Sequence, residues 1–346
     1  MKILVVGKYN PEYNRTKIIL DGLRKLANIE VKEMPFNKKK HLNLDALKKE
    51  LDWCDIVYSP SFSHKYVRFI KRKTDKPLIF DPLISNYLTK VFDYKSISRW
   101  SPRAYKNYLK DKLPFKAATL LISDTLAHKN YFHSTFGIPL DKIEVLPIGA
   151  NVSDFSPTVK KQTDIFTVGF YGGFIPLQGV LKIIETAELL QTDSSIQFNL
   201  IGTGFQYKEM QELVKSKGLK NVIFEGWISY DELSTHINSY DICLGIFGET
   251  PKAKLVIPNK IYHYAAMGKP IVTMKTTAVS EVFKDQENIY LTTNAPSEIK
   301  DAILSLKDNN QLKEKLGKNA LQLIQQNMNE VKIAERFIAI VRERLL

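Results

Sequence analysis

The chain has 346 residues, 44% hydrophobic and 25% charged, with 50 Lys+Arg against 37 Asp+Glu. That composition is ordinary for a folded globular protein, and two cysteines are too few for a disulfide framework. No apolar run approaches the roughly 18 residues that a membrane span needs, and at about 150 residues per domain the length predicts two domains.

The chain opens with MKILVV, a buried strand, then a loop, GKYNPEYNR. The apolar segment is too short for a signal peptide, so a cytoplasmic protein is expected. TKIILDGLRKLA has apolar residues at helical spacing. Strand signals recur at IEVKEM, DIVYSP, PLIFDP, TLLISD and IEVLPI, with helical patterns between several of them. Strands alternating with helices predict a parallel sheet covered on both faces. Residues 1–150 hold 28 Lys+Arg against 15 Asp+Glu, a net +13, whereas residues 151–346 hold 22 of each. The basic half should therefore be drawn to something anionic. Its runs HKYVRFIKRK and SRWSPRAYKNYLKDKLPFKAA mix cations with aromatic rings, which suits a bilayer interface. A solvated basic face is the plain alternative. Cys54 in DWCDIVY and Cys243 in DICLGIF read as buried free thiols of a reducing compartment.

Residues 153–164 are polar and lack periodicity, and read as a linker between a first domain, 1–152, and a second, 165–328. The pattern then restarts. FTVGFYGG is a strand ending in glycines, VLKIIETAELL a helix, FNLIGTG a strand and glycine turn, and QYKEMQELVKSKG a helix. VIFEGWI, DICLGIF and PIVTM are strands, with helices at YDELSTHINSY and PNKIYHYAAMG. The tail from about 298 is helical, and its last part, 329–346, is expected to pack back on the first domain. The expected fold is α/β, two Rossmann-like doubly wound domains facing across a cleft. Glycine turns past strands let backbone N–H groups approach phosphate. Two such turns are Gly172-Gly173 and Gly202-Thr203-Gly204. No GxGxxG with a later acid is present, which disfavours a nicotinamide enzyme.

The order and spacing of VGFYGGFIPLQGVLKIIETAELL, FNLIGTG, NVIFEGWISYDELSTHINSYDICLGIF and KIYHYAAMGKPIVT resemble the donor-binding domain of glycosyltransferase family 4. AATLLISDTLAHKNYFHSTFGIPLDKIEVLPIGANVSDFSP resembles that family's last first-domain strand and interdomain linker. The resemblance implies a GT-B fold, an acceptor-binding first domain, and a nucleotide-sugar donor on the second. It also implies retaining transfer without a metal or other cofactor.

The donor-site expectations follow from both sources. A helix starting near Pro258 aims its N-terminal dipole and free N–H groups at a diphosphate. Lys260 in its first turn opposes the dipole unless an anion is bound, and Lys254 on the preceding loop is a second candidate cation. Asn259 shares that turn. The family's Gly-Arg and Lys-Gly positions read Gly172-Gly173 and Gln178-Gly179 here, so both usual phosphate-binding cations are absent. The family's paired glutamates fall on Leu255 and His263, and Glu249 is a displaced substitute. Helical spacing sets Asn259, Tyr262, His263 and Ala266 on one stripe and Ile261, Tyr264 and Ala265 on a core stripe. His263 thus either meets the ribose with a neutral imidazole or is a packed histidine. The resemblance places the base near Trp227, Ile228 and Ser229, and Trp227 alternatively packs in the core, the commoner place for a tryptophan. Gly204 completes the glycine turns. In the first half, Asp81 after PLIF is a candidate catalytic carboxylate beside Glu249, and Arg15 is a candidate diphosphate clamp. No residues have metal-ligand spacing.

The activity expected is transfer of a hexose or N-acetylhexosamine from a UDP- or GDP-linked donor. The acceptor is a saccharide or lipid-linked glycan at the inner membrane face, in cell-surface polysaccharide or glycoconjugate synthesis. Two other readings stand beside it: a scaffold that kept the fold but lost donor binding, and a GT-B epimerase. Nucleic acid is not an expected partner, because charge alone speaks for it.

Overall fold

The structure is a computed structural model describing residues 1–158 and 163–345. Positions 159–162 of the expected linker lie outside the described residues. The chain forms two compact units, Met1–Gly149 with Asn327–Leu346, and Ala150–Gln326.

The first unit is built on β1 (Lys2–Gly7), β2 (Glu30–Pro35), β3 (Ile56–Ser59), β4 (Leu78–Phe80), β5 (Leu120–Ser123) and β6 (Ile143–Val145). All pairs are parallel, in the order β2-β1-β3-β4-β5-β6. The crossovers are helices α1 (Asn14–Lys25), α2 (Leu44–Trp53), α3 (His64–Lys71), α4 (Pro102–Ala117) and α5 (Leu126–Phe136). Ile3 to Val6 of β1 are fully buried, as the continuous apolar run of a strand covered on both faces requires.

The second unit holds β7 (Phe166–Tyr171), β8 (Ile196–Ile201), β9 (Val222–Gly226), β10 (Ile242–Leu244), β11 (Ile271–Met274) and β12 (Tyr290–Thr292). Their order is β12-β11-β10-β7-β8-β9, again parallel. Helices α6 (Val180–Leu189), α7 (Tyr207–Ser216), α8 (Tyr230–Ser239), α9 (Asn259–Ala266), α10 (Pro296–Asp308) and α11 (Asn310–Leu323) accompany them. Strand β12 has three residues and gave no strand signal in the sequence.

Helix α12 (Glu330–Leu345) belongs to the first unit and lies along α1. Gly22 makes this approach possible: a Cβ there would stand 1.9 Å from the Glu330 carbonyl oxygen. Lys25 Nζ reaches Glu330 Oε1 at 2.7 Å, and Ile333, Ala334 and Phe337 are buried behind it.

In each sheet the strand order reverses once, between β1 and β3 and between β7 and β10. Connections leave such a pair in opposite directions and open a crevice at the strands' carboxyl ends, where open α/β sheets take ligands. Cys54 and Cys243 are free and buried. No helix among the described residues is long and apolar enough to cross a membrane.

Candidate functional site

The second unit's crevice lies past Tyr171 of β7 and Leu244 of β10. The loop after β7 runs through Gly172 and Gly173, makes a turn at Pro176–Gln178, and enters α6. The loop after β10 lies against it, with the Phe247 N–H donating to the Gln178 carbonyl at 3.1 Å. The loop after β8 closes the third side, with the Phe174 N–H donating to the Thr203 carbonyl at 2.9 Å.

Three sequence-predicted residues converge here. Gly172 has φ +153°, and a Cβ on it would meet Lys260 Nζ at 2.8 Å and the Gln178 amide carbon at 3.4 Å. Only glycine leaves room for both side chains. Lys260 is 3% exposed although it lies in the first turn of α9. Its ammonium sits 3.4 Å from the centre of the Phe170 ring, and its one hydrogen bond among the described residues is a long 3.5 Å contact to the Gly245 carbonyl. No carboxylate pairs with it among the described residues. Burial therefore pushes the Lys260 amine well below the usual lysine range. Gln178 is 8% exposed, and its Oε1 has no hydrogen-bond partner among the described residues. A buried lysine without a counter-ion and a buried amide oxygen without a partner, among the described residues, thus lie side by side at the crevice. Helix α9 adds its positive end, with no capping side chain and no acidic residue in its first turn. Such an arrangement is built for an anion.

The other predicted residues fall as follows. Asn259 opens α9, half-buried, after Pro258, which caps the helix rather than starting it. Gly173 and Gly204 flank the crevice; a side chain at Gly204 would strike the Phe174 backbone at 2.6 Å, whereas Gly173 has room. Lys254 is exposed at the end of a short turn. Glu249 is exposed and accepts from Asn294 Nδ2 at 2.9 Å. Ile228 is half-buried beyond β9.

The structure corrects the expectations for His263, the stripes of α9, Trp227, Arg15 and Asp81. His263 is 2% exposed and stacks on Phe155 with ring centres 3.8 Å apart. Burial pulls its pKa down to about 3. The Tyr171 hydroxyl, held protonated by its own burial, shares a 2.6 Å hydrogen bond with Nδ1. His263 is a packed neutral histidine. The two-stripe reading of α9 fails for the same reason: Lys260 to Ala266 are all buried.

Trp227 is 75% exposed, not packed. It follows Gly226 (φ +71°) at the end of the edge strand β9, where no further strand covers it.

Arg15 and Asp81 are 0% and 1% exposed and pair with each other at 2.7 Å. Arg15 Nη1 donates to the Pro147 carbonyl at 2.7 Å, and the Tyr58 hydroxyl donates to Asp81 Oδ2 at 3.2 Å. Burial raises the Asp81 carboxyl above its usual range against the pull of Arg15. Burial by itself would lower Arg15, but Asp81 and Tyr58 outweigh it and keep the guanidinium protonated. Both side chains are buried and paired with one another inside the first unit, rather than lining its surface, while Arg15 Nη2 and Asp81 Oδ1 have no hydrogen-bond partner among the described residues. Among the described residues no group of three or more His, Cys, Asp or Glu is placed to hold a metal ion.

Comparison with known proteins agrees with this architecture. Residues 165–309 match the family model described as glycosyl transferases group 1. Two uncharacterised glycosyltransferases of Methanocaldococcus jannaschii are similar in sequence. One is 27% identical over 43% of this chain and 40% of its own length. The other is 26% identical over 68% of this chain and 61% of its own length. The matched regions thus span less than two thirds of these relatives. Among solved structures, Anabaena HepE in complex with UDP-glucose superposes with a TM-score of 0.74 at 17% identity. That match covers 99% of this chain and all of HepE. The chain has the two-unit Rossmann-like fold of GT-B structures.

Proposed function

We propose that the chain is a glycosyltransferase of the family 4 type with an altered donor site. Its second unit takes a nucleotide diphosphate sugar, UDP- or GDP-linked. The first unit takes the acceptor, a saccharide or lipid-linked glycan, and receives a hexose or N-acetylhexosamine with retention. The observation that carries this reading is the buried, uncompensated Lys260 ammonium beside Gln178 at Gly172. In this scheme Lys260 neutralises the diphosphate and becomes a fully charged donor when the phosphate oxygen arrives. The N–H groups of the glycine loop and of α9 bind the remaining oxygens, and exposed Lys254 adds charge at the mouth. These contacts strengthen as the diphosphate gathers charge on leaving, which lowers the barrier. Exposed Trp227 offers a ring face to the base beside Ile228. Glu249 is the carboxylate available near the sugar. HepE was solved with UDP-glucose, which makes UDP sugars the first to try. The same reading places the protein in the cytoplasm at the inner membrane face, serving cell-surface polysaccharide synthesis.

The test is release of nucleoside diphosphate from UDP- and GDP-linked glucose, galactose and N-acetylglucosamine, with a chelator present and with product anomers read by NMR. A donor consumed without metal, giving a product of unchanged anomeric configuration, supports the reading. Consumption of none of them, with and without added divalent metal, contradicts it.

A further inference from the structure

The first unit has its own crevice at the reversal between β1 and β3. A cavity of about 570 Å³ lies there, lined by Lys8 just past β1, by Phe62 past β3, by Lys65 and Arg68 of α3, and by Lys110 and Leu113 of α4. Its position is the one at which open α/β sheets hold ligands, yet none of these residues belongs to the donor site.

The lining has two characters. Lys8, Lys65, Arg68 and Lys110 bring four cations to it, and none has a carboxylate partner among the described residues. The nearest acid, Asp111, is fully buried behind the wall, where Ser85 Oγ, Asn86 Nδ2 and the Tyr87 N–H already occupy its oxygens. The other face is apolar, with Phe62 and Leu113 partly exposed at the rim. Phe62 holds φ +71°, a conformation that costs a non-glycine residue energy and gathers at functional sites. His64 also lines the cavity and is 8% exposed. Its Nε2–H donates to the Ile84 carbonyl at 3.0 Å, so its Nδ1 is a lone-pair acceptor with no partner among the described residues. Beside the cavity, α4 and the turn before it carry Trp100, 83% exposed, and Tyr105, 63% exposed.

We propose that this cavity binds the anionic head of a phosphate- or diphosphate-bearing amphiphile, with its apolar chain passing over Phe62 and Leu113 toward the exposed aromatic rings. Four uncompensated cations select the phosphate, and the apolar wall selects against a free inorganic anion. Resting on the transferase reading above, this amphiphile is the acceptor class, and His64 Nδ1 receives one of its hydroxyl protons in a hydrogen bond.

The probe is farnesyl diphosphate, compared with inorganic pyrophosphate and farnesol by calorimetry on the full chain carrying Lys260→Met, which removes the cation of the second unit's diphosphate site. The expected result is that farnesyl diphosphate binds at least tenfold more tightly than either fragment. Arg68→Ala/Lys110→Ala, at two exposed positions, weakens it by roughly tenfold per cation removed. Equal binding of pyrophosphate and farnesyl diphosphate would overturn the amphiphile in favour of a free phosphate. An undiminished affinity when these two substitutions are added would overturn the site. Binding is read without a donor sugar, so failure of sugar transfer leaves this result standing, and failure here leaves the donor site standing.

Discussion

Replacing Lys260 with methionine separates binding from stability. Methionine keeps the length of the side chain and its contact with Phe170, but removes the ammonium. In the folded chain that ammonium has a ring face at 3.4 Å and one long contact at 3.5 Å. The ring contact contributes about 2 kcal/mol when desolvated. Burying the charge without a counter-ion costs several kcal/mol. The second effect wins, so Lys260→Met should be as stable as the wild type or more so. Nucleotide binding should move the other way. A hydrogen bond between charged groups contributes about 1.5–3 kcal/mol, so UDP affinity should fall roughly 10- to 150-fold. Burial depresses the free lysine's pKa, and a bound phosphate raises it. Binding therefore takes up a proton, and wild-type affinity should weaken as pH rises through the free lysine's pKa. Titration calorimetry in two buffers of different ionisation enthalpy reads affinity and proton uptake together. A variant that binds UDP like the wild type, or one destabilised by several kcal/mol, would refute the reasoning.

Arg15→Ala leaves Asp81 buried without its cation and should cost about 3–5 kcal/mol, lowering the first unit's melting temperature by roughly 6–20 °C. Wild-type stability with weakened nucleotide binding would instead restore Arg15 as a phosphate clamp. Gly22→Ala gains up to about 1 kcal/mol of helix propensity, but its Cβ would lie 1.9 Å from the Glu330 carbonyl oxygen. The clash should prevail by about 1–3 kcal/mol, and a rise in melting temperature would show that α12 yields freely. His263 stays neutral in the fold down to about pH 3, whereas an unfolded histidine protonates near 6.5. Its contribution is complete above about pH 6.5 and is lost as pH falls, at about 1.4 kcal/mol per unit, until about pH 3. Denaturant titrations between pH 5 and 6.5 should show that slope reduced by one proton in His263→Phe; parallel slopes would contradict the burial argument.

The sheets were readable because each strand is a short, dense apolar run such as ILVV or LLIS, which a parallel strand buried on both faces demands. Strand β12, three residues in a polar setting, carries no such signal. Within the site, Gly172, Gln178 and Lys260 were legible from a glycine turn, its following helix and a cation in an unfavourable first turn. Helical periodicity misjudged His263 because α9 is buried on every side and has no solvent stripe to detect. Arg15 and Asp81 lie 66 residues apart, and nothing local shows that they neutralise each other. Along the chain Trp227 reads as core because tryptophan usually packs; its exposed place past an edge strand depends on sheet order. The cations of the first-unit cavity come from three separate segments and read along the chain as a basic surface. Only the α3–α4 packing gathers them around an apolar wall.

The central claim is that the second unit holds a nucleoside diphosphate at Gly172, Gln178 and Lys260. Thermal unfolding against UDP, GDP, ADP, CMP and NAD tests it most directly. A ligand at about 100 times its dissociation constant adds roughly 2.7 kcal/mol. One nucleoside diphosphate should raise the transition in the wild type and fail to do so in Lys260→Met at the same concentration. No shift with any of them at millimolar concentration would contradict it and leave a GT-B scaffold without a donor.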